Sequence, residues 1–216
     1  MNILDQCIGL FAPHNCVGCV RESSLLCYGC QQQLPAVPSK CYRCLALTVD
    51  GAICHACLPQ VSLDRITAAV AYEGAAKELV WRLKFGGAQA AVAPMVRVMS
   101  KAQHYKAFIV PVPTATSRRR LRGYDQAKLL AREFAKRQGF PYADCLKRSG
   151  QTHQVGSSRD ERRHQLQNAF RLTRLPGKRI ILVDDVLTTG ATLEAAANVL
   201  REAGAGHIEA AVFAQA

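Results

Sequence analysis

The fold class is indicated most clearly by the segment Arg179-Ile-Ile-Leu-Val-Asp-Asp-Val-Leu-Thr-Thr-Gly-Ala-Thr192. Its short apolar run is typical of a parallel strand that is buried on both faces, and Asp184 and Asp185 are predicted to end this strand. A loop with one glycine and three threonines follows, and apolar residues then recur at helical spacing over 193–200. We expect Gly204 to stop that helix.

The loop after this strand has the composition of a phosphate-binding site. Ligands of open α/β sheets bind at the carboxyl ends of strands, and N–H groups at the start of a helix attract phosphate. Thr188, Thr189 and Thr192 offer hydroxyl donors. Gly190 allows a close approach of the backbone. An ordinary turn between a strand and a helix is the alternative, whereas a Walker-type loop is excluded because no Gly-Lys-Ser/Thr follows.

The two carboxylates that precede the loop suggest a second part of the same site. Asp184 and Asp185 can accept hydrogen bonds from the hydroxyls of a sugar, or they can help to hold a magnesium ion. Both roles are compatible with a phosphate bound in the adjacent loop, and the residues alone leave the choice between them open.

The rest of the chain alternates between segments typical of strands and of helices. Strands are predicted at 66–72, 107–112, 170–173 and 208–213, and helices at 76–83, 88–103 and 127–139. Such alternation predicts an α/β fold, in which helices flank a parallel sheet.

The cysteines are concentrated at the N-terminus. Nine of the ten lie within the first 57 residues, and eight of them form four Cys-x-x-Cys pairs: Cys16/Cys19, Cys27/Cys30, Cys41/Cys44 and Cys54/Cys57. A structural zinc ion takes four ligands, so these pairs predict two four-cysteine zinc sites. Pairing in sequence order and a crossed pairing are both compatible with the spacing. Redox chemistry at one pair is the alternative, and Cys7 stands apart as a buried or free thiol.

The formal net charge of +12 is unevenly distributed. Residues 1–60 hold three Lys/Arg and three Asp/Glu, whereas residues 111–174 hold 15 Lys/Arg and five Asp/Glu. A basic surface of this kind suits phosphate-rich ligands or polyanionic partners. The alternative is a solvated basic surface without a ligand.

A second loop at the end of a strand follows Pro111 and leads into several arginines. Guanidinium groups bind phosphate oxygens in pairs, so this loop is a candidate for a pyrophosphate site. The candidate ligands are Pro113, Thr114, Arg120 and Arg122, with Arg118 and Arg119 beside them. The alternative is a solvated helix face.

Residues 150–168 are polar and contain few apolar anchors. We expect a mobile loop or a short polar helix, which could close over the site and exclude water during a transfer reaction. His153, Arg159 and Arg163 are the candidate lid residues.

The chain contains no 18-residue apolar run, so no insertion into a membrane is expected. Residues 1–11 lack the basic start and long apolar stretch of a signal peptide. A cytoplasmic protein is therefore expected. In that reducing compartment, paired cysteines are metal ligands rather than disulfides.

Residues 180–192 resemble the motif with which type I phosphoribosyltransferases bind 5-phosphoribosyl-1-pyrophosphate (PRPP). The resemblance implies that Asp184 and Asp185 are catalytic residues that bind the ribose hydroxyls. It also implies that the segment Val186-Leu187-Thr188-Thr189-Gly190-Ala191-Thr192 binds PRPP and wraps its 5′-phosphate, with Mg²⁺ bound alongside.

Motifs along nearly the whole chain resemble the ComF family, which includes the GntX-like proteins. They are the cysteine pairs, Leu83-Lys84-Phe85, Val110-Pro111-Val112-Pro113, Arg122-Gly123-Tyr124-Asp125-Gln126-Ala127, Asn168-Ala169-Phe170 and Val183-Asp184-Asp185. The family pattern usually has Asn where Asp125 stands. The resemblance implies a double zinc ribbon at 1–60 and a type I phosphoribosyltransferase-like domain at 61–216.

Membership of this family implies a role in natural competence and DNA uptake. The protein would act in the cytosol on incoming single-stranded DNA, in contact with competence proteins such as a DNA-translocating helicase. A catalytic reaction does not follow from the resemblance, and the acceptor of a transfer is open. Two alternatives are a nucleobase-salvage phosphoribosyltransferase, with Tyr72, Trp81 and Phe85 near the base, and a PRPP-sensing protein without catalysis.

Overall fold

The computed structural model of the chain describes residues 14–114, 120, 122–149 and 169–216. The strands are β1 (His14–Asn15), β2 (Glu22–Ser23), β3 (Arg65–Ala71), β4 (Phe108–Pro111), β5 (Leu146–Arg148), β6 (Phe170–Leu172), β7 (Arg179–Leu187) and β8 (His207–Gln215). The α-helices are α1 (Tyr28–Gln32), α2 (Gly74–Phe85), α3 (Val92–Met99), α4 (Gln126–Gln138) and α5 (Ala191–Glu202).

Four parallel strands form the central sheet in the order β3-β8-β7-β4. Tyr142 adds an isolated parallel bridge to Ile109 at the β4 edge. Helices α2, α3 and α4 pack on one face of the sheet and α5 on the other. The predicted α/β architecture, a parallel sheet flanked by helices, is therefore confirmed.

Strand β7 lies at the centre of the sheet, and both of its faces are buried. Ile181 and Val183 pack into the core on the side of α2, α3 and α4. Ile180 and Leu182 pack into the core on the side of α5. Because successive side chains of a strand point to opposite faces, only a continuous apolar run can fill both cores.

The prediction that Asp184 and Asp185 end this strand is wrong. Strand β7 continues to Leu187, and its pairing with β8 runs on through Asp184–Val212 and Leu187–Gln215. The long C-terminal strand β8 thus supplies backbone partners past the carboxylates, so that both acidic side chains are held by the sheet.

The predicted helix over 88–103 is also wrong in its extent. A 3₁₀ turn spans Gln89–Ala91, and α3 covers only Val92–Met99. Pro94 sits in the first turn, where a missing N–H costs little. The helix ends at Met99 because the residues after it provide no further buried apolar stripe.

Helix α4 begins and ends with recognisable caps. The side chain of Asp125 accepts a hydrogen bond from the Lys128 N–H at its start. Gly139 adopts the left-handed conformation at its end, with φ of 67°. The predicted stop near Gly139 is therefore confirmed.

Strands β5 and β6 form a separate antiparallel pair, in which Leu146 faces Leu172. The sequence pattern predicted β6 but not β5. The candidate lid residues His153, Arg159 and Arg163 belong to the connection between these strands and lie outside the described residues.

The N-terminal segment packs directly on the α/β core. Leu25 and Leu26 are buried together with residues of β3, α2 and α3. The backbone N–H of Ala71 also donates to the Pro35 carbonyl, which joins the segment to the end of β3. In the part of the chain that the structure describes, none of the helices has the length and apolar character needed to span a bilayer.

Candidate functional site

The eight paired cysteines form two groups of four sulfur atoms. Within each group, all Sγ atoms lie within 4.8 Å of one another. The first group is Cys16, Cys19, Cys27 and Cys30, and the second is Cys41, Cys44, Cys54 and Cys57. Of the two pairings that the spacing allowed, the structure thus forms the one in sequence order.

The sulfur geometry fits a tetrahedral metal ion. Metal–sulfur bonds of about 2.3 Å in a tetrahedron place the sulfurs about 3.8 Å apart. The Sγ atoms of Cys19 and Cys27 are 3.8 Å apart, and those of Cys44 and Cys54 are 3.5 Å apart. Each group therefore has the donor set and the dimensions of a zinc-ribbon site.

The two groups build their first cysteine pair in the same way. The Val20 N–H donates to the Cys16 carbonyl, and the Leu45 N–H donates to the Cys41 carbonyl. Val20 and Leu45 both adopt φ of 63°, a conformation that is uncommon outside glycine. This repeated turn directs two sulfurs to one point, and it shows that the two groups are equivalent in construction.

One thiol in each group is prepared for ligation. Burial acts to raise the pKa of Cys16, but backbone N–H groups of Cys27, Cys19 and Gly18 lower it to about 6. Burial likewise opposes a lowered pKa at Cys41, and N–H groups of the second group bring it to about 6. Because a metal binds the thiolate, these turns favour the ligand form.

Cys145 does not belong to either group. It is buried in the core beside β5, and burial raises the pKa of its thiol to about 11. It is therefore an inert core thiol. Cys7 lies outside the described residues.

The loop between β7 and α5 contains most of the predicted phosphate ligands. Thr188, Thr189 and Ala191 are exposed at the start of α5, whereas Thr192 is half-buried. The Ala191 N–H donates to Thr189 Oγ1 over 3.4 Å. The N-cap residue is Gly190, which has no side chain to cap the helix, so the first turn of α5 has N–H groups that a phosphate could accept from.

Gly190 has both the conformation and the surroundings that require glycine. Its φ is 74°, and a Cβ atom at this position would lie 2.8 Å from the Tyr42 ring. Tyr42 lies between Cys41 and Cys44, so the second cysteine group packs directly on the loop. Nothing in the sequence connects these two segments, and the contact was not predicted.

The two carboxylates lie within the C-terminal half of β7, beside a lysine of α2. Lys84 Nζ lies 2.7 Å from Asp185 Oδ1, and the Asp185 N–H donates to Asp184 Oδ1 over 2.8 Å. Burial and the neighbouring Asp185 carboxylate raise the pKa of Asp184 to about 8, although Lys84 acts to lower it. Burial and the adjacent carboxylate therefore favour the protonated form of Asp184, and a bound cation would favour the ionised form.

The second strand-end loop lies next to these carboxylates. The Val112 N–H donates to the Val183 carbonyl, which brings Pro113 and Thr114 beside Asp184. Thr114 donates to the Asp125 carboxylate from its N–H and from its hydroxyl. Asp125 thus has a structural role, since it joins this loop to the start of α4.

Of the four arginines predicted to follow this loop, the structure describes Arg120 and Arg122, and their surroundings differ. Arg120 is exposed, and the Arg122 guanidinium lies over the Phe85 ring, 5.0 Å from its centre. The hydroxyl of Tyr124 donates to the Leu83 carbonyl over 2.5 Å. The end of α2 and the start of α4 are thereby joined at the site. Arg118 and Arg119 lie outside the described residues.

The sequence pattern identified Lys84 only as part of the motif Leu83-Lys84-Phe85. It did not predict the ion pair between Lys84 and Asp185. The signal available was its position in the last turn of an amphipathic helix. The contact itself depends on how α2 packs on the sheet.

Comparisons with known proteins agree with this arrangement. A family model described as "Phosphoribosyl transferase domain" matches residues 122–216. Competence protein F of Haemophilus influenzae strain Rd is 33% identical over 201 residues, which cover 85% of this chain and 87% of that protein. Competence protein ComFC of Bacillus subtilis strain 168 is 28% identical over 208 residues, which cover 86% of this chain and 81% of that protein.

A solved structure entitled "Structure of the allosteric regulatory enzyme of purine biosynthesis" matches with a TM-score of 0.40 and 20% identity. The match covers 56% of this chain and 24% of that chain. A likeness at this level supports no conclusion by itself. The assignment depends instead on the relatives that cover most of the sequence, on the matching domain model and on the two four-cysteine groups. On these grounds the chain belongs to the competence protein F (ComF) family, with two four-cysteine groups and a phosphoribosyltransferase domain.

Proposed function

We propose that this protein is a competence accessory protein of the cytoplasm, which binds PRPP and acts on incoming single-stranded DNA during natural transformation. The observation that carries the proposal is the junction of β7 and α5. There, two carboxylates in the C-terminal half of a buried strand precede a loop with threonines and a left-handed glycine at the start of α5. These groups match the needs of a phosphorylated sugar.

In the proposed site, three groups of residues bind three different parts of PRPP. Asp184 and Asp185 accept hydrogen bonds from the ribose hydroxyls. The segment Val186–Thr192 wraps the 5′-phosphate. The pyrophosphate lies towards the second strand-end loop, and its ligands are Pro113, Thr114, Arg120 and Arg122.

Magnesium is the expected companion of PRPP at this site. Mg²⁺ prefers carboxylate and phosphate oxygens, which Asp184, Asp185 and the pyrophosphate would provide. A cation held by Asp184 and Asp185 would favour the ionised carboxylates and would therefore displace a proton bound by the pair. Lys84 would then compete with the cation for Asp185.

We further propose that both four-cysteine groups hold structural zinc ions and that residues 1–60 form a double zinc ribbon on a domain of residues 61–216. The sulfur distances support zinc. Relatives named as competence proteins support a role in competence. Contact with single-stranded DNA and with a DNA-translocating helicase is part of the proposal.

A calorimetric titration of Mg-PRPP into the zinc-loaded protein tests the proposed ligand. We expect binding by the parent protein and loss of binding by the variant with Asp184→Asn and Asp185→Asn. Asp144→Asn is the matched control, because Asp144 pairs with Lys128 and Lys147 away from the loop. Absence of binding to the folded parent would contradict the proposal.

A second assay separates the proposal from nucleobase salvage. The protein is incubated with Mg-PRPP and each of the common nucleobases, and release of pyrophosphate is followed. We expect no base-dependent release. Rapid release with one base would assign a salvage phosphoribosyltransferase instead.

A further inference from the structure

The outer face of α2 carries an unusual set of exposed side chains. Lys77, Trp81 and Phe85 are spaced four residues apart, and all three are exposed. Trp81 is 52% exposed and Phe85 is 61% exposed. The opposite face of the same helix is fully buried in the core. Contiguous exposed apolar surface is a feature of binding sites, and two neighbouring aromatic rings on one helix face are a candidate for such a surface.

The two rings form one continuous surface with a cation at each end. The ring centres of Trp81 and Phe85 are 6.2 Å apart. The Arg122 guanidinium covers the Phe85 ring at 5.0 Å, and Lys77 lies one turn before Trp81. We call Lys77, Trp81, Phe85 and Arg122 the aromatic stripe. Among the described residues, no carboxylate forms an ion pair with either of its cations, so both charges are available to an anion.

We propose that the aromatic stripe is a base-stacking surface for single-stranded nucleic acid. One base stacks on Trp81, and the next packs against the exposed part of the Phe85 ring that Arg122 does not cover. The phosphates of the strand contact Lys77 and Arg122. Aromatic rings interleaved with cations bind strands in this way, with little dependence on sequence. The inference rests on the proposed function, because it assigns the surface on which the DNA would lie.

The shape of the surface favours a strand over a free base. A small planar ligand is bound in a pocket that covers most of its surface. The aromatic stripe is instead an open helix face, on which one base would remain largely exposed. Two rings and two flanking cations provide several weak contacts, which only a connected chain of bases and phosphates can use together.

The stripe also borders the proposed PRPP site. Phe85 directly follows Lys84, whose Nζ contacts Asp185. Arg122 is common to both, since it is a candidate pyrophosphate ligand and also covers Phe85. A strand bound on α2 would therefore place a nucleotide next to the carboxylate pair, which makes coupling between the two ligands measurable.

The chain offers a direct optical test, because Trp81 is its only tryptophan. A dT oligonucleotide of about 12 nucleotides is titrated into the zinc-loaded full chain. We expect the oligonucleotide to quench Trp81 emission, and we expect this quenching to give the same dissociation constant as the fluorescence anisotropy of a labelled oligonucleotide. An abasic strand of equal length and charge should bind more weakly and should leave the emission unchanged.

Substitutions separate stacking from charge. Trp81→Ala and Phe85→Ala should each weaken binding of the oligonucleotide by roughly 5- to 100-fold. Tyr105→Ala is the matched control and should change the affinity less than twofold. Tyr105 is 71% exposed, and the Arg179 guanidinium lies over its ring, 5.6 Å from the ring centre. Arg179 is the first residue of β7, so this second aromatic–cation pair lies away from the aromatic stripe.

Each outcome decides a separate point. Normal zinc content and an unchanged free energy of unfolding show that a variant is folded. Suppose that the parent binds the oligonucleotide without any change in Trp81 emission, and that Trp81→Ala binds it with the affinity of the parent. The inference is then overturned, while the proposed function stands. If the parent binds no oligonucleotide, both the inference and the proposed DNA role fail. Quenching by a free nucleoside but not by the strand also overturns the inference.

Discussion

The phenol of Tyr42 donates a hydrogen bond of 2.5 Å to Glu194, which lies 152 residues away in the sequence. Glu194 sits in the first turn of α5, and it also accepts a hydrogen bond of 2.6 Å from the Ser62 N–H. Burial and the Glu194 carboxylate raise the pKa of Tyr42, so the phenol stays protonated and remains a donor. The second cysteine group is thus fixed to the loop proposed to hold phosphate.

The first prediction concerns the glycine beneath the Tyr42 ring. Gly190→Ala should abolish measurable Mg-PRPP binding, because alanine is strained at φ of 74° and its Cβ would meet the ring at 2.8 Å. Gly139→Ala is the control. Its φ is 67°, but its surroundings are open, so we expect about 1 kcal/mol of destabilisation and normal affinity. Calorimetry and denaturant unfolding measure the two effects, and equal affinities for both variants would contradict the account.

The second prediction concerns the metal sites. Cys19→Ser and Cys44→Ser change equivalent, exposed cysteines, and each should reduce the zinc content from two ions per chain to one. Only Cys44→Ser releases Tyr42 from the loop. We therefore expect at least a tenfold loss of Mg-PRPP affinity for Cys44→Ser alone. Elemental analysis and calorimetry test this prediction, and retention of both ions by either variant would refute the assignment of ligands.

The third prediction concerns pH. The pKa of Asp184 is raised to about 8, so below that pH the carboxylate pair binds a proton that Mg-PRPP must displace. Affinity should therefore rise with pH until about 8 and then level off. Lys84→Met removes a charge that lowers this pKa, so its rising limb should shift to higher pH. Lys147→Met is the control, because its partner is Asp144. Superimposable profiles for Lys84→Met and the parent would exclude the coupling.

The fourth prediction concerns a buried carboxylate near the amino ends of β3 and β8, at the opposite end of the strands from the proposed site. Glu209 lies 2.6 Å from Arg65, and it also contacts His104 and His207. Burial acts to raise the pKa of Glu209, but these three donors lower it to about 2. Its contribution to stability is therefore complete above its ordinary pKa of 4.5 and is lost as the pH falls towards 2.

Removal of that charge should destabilise the fold. We expect Glu209→Gln to lower the free energy of unfolding at pH 7 by about 3 kcal/mol, since Arg65 would be left without its partner. Glu78→Gln breaks an exposed pair with Arg82 and should cost less than about 0.5 kcal/mol. Denaturant unfolding from pH 7 to pH 3 checks both values. A loss at Glu209 no larger than at Glu78 would be inconsistent with a buried network.

Local patterns predicted the strand–loop–helix unit and the cysteine pairs correctly, for physical reasons. The apolar run before Asp184 must fill two cores, and a Cys-x-x-Cys turn can direct its sulfurs to only one point. The pairing of the cysteine groups was open because all four pairs have the same spacing. The structure groups the pairs in sequence order, with Cys16, Cys19, Cys27 and Cys30 in one group and the other four in the second.

The contacts that assemble the candidate site could not be predicted. The Tyr42–Glu194 hydrogen bond and the Lys84–Asp185 ion pair join segments that are distant in sequence. The spacing of apolar residues predicts helices and strands, but it does not predict which distant side chains will meet. The length of β7 was missed for a similar reason. Acidic residues suggest a strand end, whereas the register with β8 carries β7 on to Leu187.

The central claim is that PRPP is held by the segment Val186–Thr192, and backbone hydrogen exchange with and without Mg-PRPP tests it most directly. We predict that amides of residues 187–193 exchange at least tenfold more slowly with the ligand, and that this protection is absent from the variant with Asp184→Asn and Asp185→Asn. The helix α1, which belongs to the first cysteine group, should show no such change. Unchanged exchange in the loop at a saturating ligand concentration, or protection that is confined to another part of the chain, would contradict the account.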